Sequence, residues 1–193
     1  MNFDLVHDIQ QSYRKLLNVM SRPGEIENIS DLSEKLDIDI EVYKSNYLIM
    51  LMLLDGEVSF NVYSENREKI NKIVGQITNS KLKPFHEADY LFVTKEAKNI
   101  TDVMSICKVG DLSNPHKSAT LIIEVENLDN NKELKLTGPG IKDSNYLSFE
   151  SNKEWLKIRN EKNKEYPLGI DIILIDEKGN LACLPRTTKV QEV

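Results

Sequence analysis

Apolar residues recur at steps of three and four from Phe3 onward, through Val6, Ile9, Tyr13, Leu16 and Met20. That period predicts an amphipathic helix with those positions on its buried stripe and Asp8, Gln11, Lys15 and Asn18 on the other faces. The helix should stop near Ser21, because Pro23 disfavours the α region for Arg22 and Gly24 completes a turn. The period then changes to alternation in Leu36-Asp37-Ile38-Asp39-Ile40-Glu41-Val42, which predicts a short strand with one buried face. Tyr47 to Leu54 is apolar on every face. Its Leu and Met content, with only Ile49 β-branched, favours a buried helix over a strand. Asp55-Gly56 turns the chain into an alternating strand over Val58 to Tyr63.

Ser64 is a suitable N-cap for a helix carrying Ile70, Ile73, Val74 and Ile77, and Pro84 ends that region. Tyr90 to Thr94 predicts a buried strand, and Ile100 to Val109 a helix closed by Gly110. The run Ala119 to Val125 is broken only by Thr120 and Glu124, as in a strand covered on both faces. Leu134 to Thr137 alternates and runs into Gly138-Pro139-Gly140. Trp155, Leu156 and Ile158 lie on a charged helix that ends before Pro167. Gly169 to Asp176 and Leu181 to Leu184, joined by Glu177-Lys178-Gly179-Asn180, predict a β-hairpin. Helices interleaved with strands, and an antiparallel last pair, imply a three-layer α/β fold with a mixed sheet. With no repeat, low-complexity tract or long linker, residues 1–193 are read as a single domain.

Composition narrows the function classes. The 193 residues are 40% hydrophobic and 29% charged, the balance of a globular protein. Twenty-five basic against 31 acidic residues give a net charge of −6, which argues against a dedicated nucleic-acid binder. Cys107 and Cys183 form no CxxC pair and read as buried thiols in a reducing compartment. His7, His86 and His116 are too scattered for a metal-ligand spacing. The start, Met1 to Asp8, has neither a basic nor an apolar leader region, and the Tyr47 to Leu54 run is too short to span a bilayer. A cytoplasmic location is the expectation. Nucleophile-elbow, P-loop, zincin and dinucleotide fingerprints are missing, and no lysine has the apolar context of a Schiff base.

Three turns could carry chemistry. Gly138-Pro139-Gly140 could offer bare backbone amides to an anion, or serve as a strand-to-loop turn. Pro185-Arg186-Thr187-Thr188 sets a guanidinium beside two hydroxyls and could hold a phosphate or carboxylate. Alternatively, Pro185 ends the strand while Arg186 pairs with an acid at a subunit contact. Ser21-Arg22-Pro23-Gly24 places a second arginine, Arg22, in a turn that could equally be only a helix stop.

Taken in order, these segments resemble PhnH, a family of subunits of the bacterial carbon–phosphorus lyase system for phosphonate use. Gln10 to Gly24 resembles the family's Q-x-x-F-R-x-L-L-x-A-M-S-x-P-G start, with Tyr13 in place of Phe. Gly110 to Val125 resembles a segment with Gly, Pro and then A-T-L-I-x-x-V, with His116 where Glu is common. Leu134 to Ile141 is similar to L-x-G-P-G-I, Tyr166 to Asp171 to F-P-x-G-x-D, and Pro185 to Thr188 to P-R-T-T. The stretch Glu25 to Phe60 carries little of the likeness.

The resemblance implies an α/β fold like the large domain of pyridoxal-phosphate-dependent transferases, without that cofactor's binding residues. It implies a homodimer alone, and association with G, I and J subunits in a symmetric core complex. With the L protein, such machinery displaces adenine from ATP by a phosphonate, giving ribose 1-phosphonate 5-triphosphate. The J subunit then breaks the carbon–phosphorus bond with radical iron–sulfur chemistry. The expected role is a non-catalytic, cofactor-free subunit. The alternative is a direct contribution of anion-binding residues, Arg186 and the Gly138 to Gly140 loop, to the transferase active site. An independent pyridoxal-phosphate enzyme ranks last, for want of a lysine motif.

Overall fold

The computed structural model describes residues 3–97, 99–150 and 153–193. Met1 and Asn2, at the start where a leader region was sought, lie outside the described residues. The elements in chain order are α1 (His7–Ser21), β1 (Glu27–Asn28), α2 (Ser30–Ser33), α3 (Lys44–Leu53), β2 (Ser59–Tyr63) and α4 (Arg67–Thr78). They continue with β3 (Lys81–Leu82), β4 (Tyr90–Val93), α5 (Ile100–Ile106), β5 (Thr120–Val125), β6 (Leu128–Thr137) and β7 (Asn145–Phe149). The last are α6 (Glu154–Lys162), β8 (Asp171–Asp176), β9 (Asn180–Leu184) and β10 (Lys189–Glu192).

Seven strands form a mixed sheet in the order β1-β9-β8-β5-β4-β2-β3. The run from β3 to β8 is parallel, while β9 and β1 are antiparallel to their neighbours. At its centre Ile122 stands in register with Phe92 on one side and Ile173 on the other. Because both faces are covered, β5 needs apolar residues at successive positions rather than alternate ones. One face, carrying Phe60, Phe92, Ile122, Ile173 and Cys183, packs under α1 to α4. The opposite face, carrying Leu91, Leu121, Ile123, Ile172 and Leu174, packs under α5, α6 and a second, antiparallel sheet ordered β10-β6-β7. Three layers and a mixed sheet are what the interleaved pattern predicts.

Several elements depart from expectation. The buried stripe of α1 is Asp8, Ser12, Leu16 and Val19, so the predicted stripe is rotated. Val6 is 72% and Tyr13 42% exposed, whereas Asp8 is buried in an ion pair with Lys35 at 2.8 Å. Apolarity located the helix, but its apolar arc is wider than the face the sheet can cover. Leu36 to Val42 is not a strand. Its alternation is real, with Leu36 buried and Asp37 exposed, but the segment is a loop that bends at residues 40–42, packs Ile38, Ile40 and Val42 against the core under α1 to α4, and pairs with no strand among the described residues. Ser64 does not cap α4; Asn66 precedes that helix, and the Ser64 hydroxyl donates to Glu96 at 2.6 Å. Ile77 is exposed on α4, where Asn71 is buried in its stead. α5 ends at Ile106, three residues early, because Val109 is drawn into a bridge with Ser118.

The thiols of Cys107 and Cys183 are buried and free, and burial raises both. No helix among the described residues is long and apolar enough to cross a membrane.

Candidate functional site

The three turns singled out by sequence converge. The Gly138-Pro139-Gly140 loop follows β6, and β10 pairs with that same strand, Lys189 standing opposite Thr137. This register brings the turn before β10, residues 185 to 188, onto Gly138. A Cβ at Gly138 would lie 2.9 Å from the Thr187 carbonyl oxygen, and the residue sits at φ +133°. Gly140, at φ +81°, abuts the carbonyl of Ser21 at the end of α1, so closely that no side chain fits. Glycine is required at both positions by backbone angle and by space. The 21–24 turn is fixed from the other side by Asn145, which donates to the Pro23 carbonyl at 2.8 Å, and Asn130, which donates to the Gly24 carbonyl at 2.8 Å. Arg22 itself is exposed, 3.6 Å from Glu25.

Arg186 is spent inside the chain. Its Nε donates to Asp171, its Nη1 to the carbonyls of Pro115 at 3.0 Å and Pro167 at 3.4 Å, and its Nη2 to Ser118 and Asp171. All five guanidinium protons therefore have acceptors. The acid that it pairs with belongs to the same chain: Asp171, the first residue of β8, which also accepts the Arg186 backbone N–H at 2.7 Å. Thr188 closes the turn by donating its N–H to the Pro185 carbonyl at 2.9 Å.

Sequence reasoning passed over the residue that holds this turn from beneath. Arg159 of α6 is 1% exposed and donates through Nη2 to the Pro185 carbonyl at 2.8 Å and the Thr188 carbonyl at 3.1 Å. The next residue, Asn160, donates to the Val190 carbonyl at 3.2 Å. Burial pulls the Arg159 guanidinium down to about 10, and nearby Asp171 pushes back upward. Nothing in a charged helix marks one arginine as buried. The only cue lies in its neighbours Trp155 and Leu156, which face the same core.

α6, the 185–189 turn and Pro139 enclose an open cleft of about 640 Å³. Thr187, Thr188 and Lys189 form one wall, and Arg159, Asn163 and Lys164 the other.

A second region lies at the carboxyl ends of the parallel strands. α4 leads from β2 to β3 over one face, and α5 leads from β4 to β5 over the other. Parallel sheets take ligands in the crevice where such connections diverge, here between the ends of β2 and β4. In this chain half-buried Glu96 ties the two strand ends together there, accepting from Ser64 at 2.6 Å and Thr94 at 2.7 Å. Beside it, buried Glu124 interrupts the apolar run of β5. Its carboxylate accepts from the Tyr43 N–H at 2.8 Å, Asn46 at 2.8 Å and the Lys95 N–H at 3.1 Å. Burial raises its pKa, and those three donors pull it back. The polar break in an apolar run was visible in the sequence; what it ties together was not.

Among the described residues, no group of three or more His, Cys, Asp and Glu side chains is placed to hold a metal ion.

Comparison with known proteins places these features in context. Residues 2–191 match the family described as bacterial phosphonate metabolism protein, PhnH. A protein named as a C-P lyase subunit, HtxG, from Stutzerimonas stutzeri is 38% identical over 84 residues, 43% of either chain. An alpha-D-ribose 1-methylphosphonate 5-triphosphate synthase subunit from Rhizobium meliloti (strain 1021) is 34% identical over 84 residues. That alignment takes in 43% of this chain and 42% of the relative, so less than half of each relative is matched.

Proposed function

Since the chain belongs to the bacterial phosphonate metabolism family PhnH, we propose that it is an accessory, non-catalytic subunit of a carbon–phosphorus lyase core complex. In that role it supports formation of ribose 1-phosphonate 5-triphosphate from ATP and a phosphonate in the cytoplasm. The observation that carries the reading is the fate of Arg186. The most strongly basic group of the P-R-T-T turn is consumed in bracing β8, the turn and the 115–118 loop together. Motif residues used in this way build a rigid platform for other proteins, with no donor of Arg186 left over to grip a substrate. A second reading, in which the chain lends anion-binding groups to the transferase active site, finds support in the cleft beside Thr187.

The proposal includes a homodimer for the isolated chain, joined by G, I and J subunits in the complex and by L with them. The uncovered face of α1 supports it: Val6, Tyr13 and Leu17 stand seven and four residues apart on one side of the helix, all exposed. It further includes the likeness to the large domain of pyridoxal-phosphate-dependent transferases, with no cofactor. An absorbance band on the purified protein that borohydride bleaches would sink the cofactor-free part. The main test is a pull-down of the tagged chain from phosphate-starved cells. Recovery of G, I and J subunits is expected, and their absence would overturn the assignment. Leu17→Glu should shift the free protein from dimer to monomer in light scattering.

A further inference from the structure

We propose that the cleft between α6 and the 185–189 turn binds a phosphoryl-type oxyanion, a phosphate or phosphonate group. The inference extends the subunit reading, which does not require it.

The first ground is charge. The net charge of the chain is −6, yet among the described residues none that lines this cleft is acidic, while Arg159, Lys164, Arg186 and Lys189 all reach it. Asp171 neutralises Arg186 at 2.5 Å, and Glu161 approaches Lys164 at 3.7 Å. Arg159 and Lys189 remain uncompensated, since among the described residues no carboxylate lies within ion-pair distance of either. The nearby carboxylate of Asp171 is taken up by Arg186 and does not reach Arg159. A buried cation without its own counter-ion is costly, and a bound anion supplies one.

The second ground is unmet hydrogen bonding. Arg159 Nε and Thr188 Oγ1 are both buried, neither has a hydrogen-bond partner among the described residues, and both belong to residues lining this cleft. Such groups are rare in folded proteins and call for an explanation. The remaining lining is of the same kind. The Thr187 hydroxyl can donate to oxyanion oxygens; the Asn160 and Asn163 amides each give one N–H to a backbone carbonyl, of Val190 and Ile170, and keep a second; Lys164 and Lys189 stand at the rim. Arg159 supplies charge from beneath, while Thr187 and Lys189 supply direct contacts. The C-terminal end of α6 opposes an anion, but its half-charge is smaller than the two uncompensated cations. The cleft has the volume of a small-molecule site. Tyr166, three-quarters exposed, stands at its rim as a flat apolar surface for whatever the phosphoryl group is attached to.

The test is calorimetric titration of the intact chain with inorganic phosphate, methylphosphonate and ATP. Saturable binding is expected, about tenfold weaker in Lys189→Gln and in Thr187→Val. A Tyr166→Ala change that weakens ATP alone identifies a nucleotide as the source of the group; equal effects on all three probes identify the free anion. Arg159→Met should abolish binding. Should that variant fail to fold, the rim variants decide the matter, because their side chains brace nothing. Heat flow that does not saturate, or unchanged affinity in both rim variants, would overturn the site. Saturable binding without recovery of G, I and J subunits fails the subunit reading and leaves the site standing. Subunit recovery lost in Lys189→Gln, with no phosphate binding by the wild type, makes the cleft a protein contact and overturns the proposal.

Discussion

Arg186 and Arg159 lie on either side of one short turn and do different work. Arg186 faces a carboxylate and holds it in a largely buried pair, with both side chains under one-fifth exposed or nearly so. Removing it strands Asp171 and unties Ser118 and two carbonyls. Arg186→Ala should therefore lower stability by about 3 kcal/mol in urea denaturation, in the range for breaking a buried pair. Glu124 gives a pH signature instead. Burial raises its folded pKa, so the native state retains a proton that the unfolded chain has already released. Its contribution is full below the unfolded carboxylate value of about 4.3 and is lost as pH rises through the raised folded value. Glu124→Gln cannot titrate. The stability difference, wild type minus variant, should fall with rising pH across that window in thermal melts. A flat difference would show that the three donors to this carboxylate cancel the cost of burying it.

Glycine and proline turns matter here as joints between elements. Gly140 is pressed against the end of α1, so Gly140→Ala has to displace either the β6–loop corner or the helix terminus. Positive φ adds its own penalty. The expected loss is about 2–4 kcal/mol by differential scanning calorimetry, with native secondary structure retained in circular dichroism below the transition. The same joints explain how legible the elements were. The core strands β4, β5 and β8 and the helix α3 could be read directly, because burial on all sides demands uninterrupted apolar sequence. α1 could be located but not oriented. Its apolar arc runs past the sheet-facing side onto Val6, Tyr13 and Leu17, and sequence does not separate a face that meets the sheet from one that meets another protein. β7, β10 and the first half of β6 were missed because their small sheet is half exposed, and residues such as Asn130, Asn131 and Lys132 carry no alternation. The loop from Leu36 to Val42 shows the opposite error: period two marks extended chain, and only a neighbouring backbone makes that a strand.

At the scale of the whole molecule, the candidate residues were legible as three separate turns, and their assembly was not. Residues 21–24, 138–140 and 185–188 come together only through long-range pairing, β10 on β6 and α1 over β9. No local pattern encodes either. Buried Arg159 was equally invisible, since a guanidinium on a charged helix has no sequence mark of burial. The acidic surplus of the chain, which first excluded nucleic acid, takes on a second meaning beside the acid-free cleft. The negative surface elsewhere leaves that cleft as a local exception. Ligand affinity there should therefore fall as ionic strength rises, which calorimetry at low and high salt would register.

The joining of residues 21–24 to residues 185–188 also sets a schedule for synthesis. A ribosome makes α1 well before the surfaces that hold it, since β9 and the Gly140 loop follow it by more than a hundred residues. Until β8 and β9 emerge, the central strand β5 lacks one neighbour and α1 has no sheet to cover. The nascent chain must therefore carry amphipathic α1 and apolar α3 in an unfinished state while the residues between α1 and β9 are made. Arrested nascent chains should be protease-sensitive at α1 when halted before residue 170, and protected there once residues through 188 have cleared the exit tunnel.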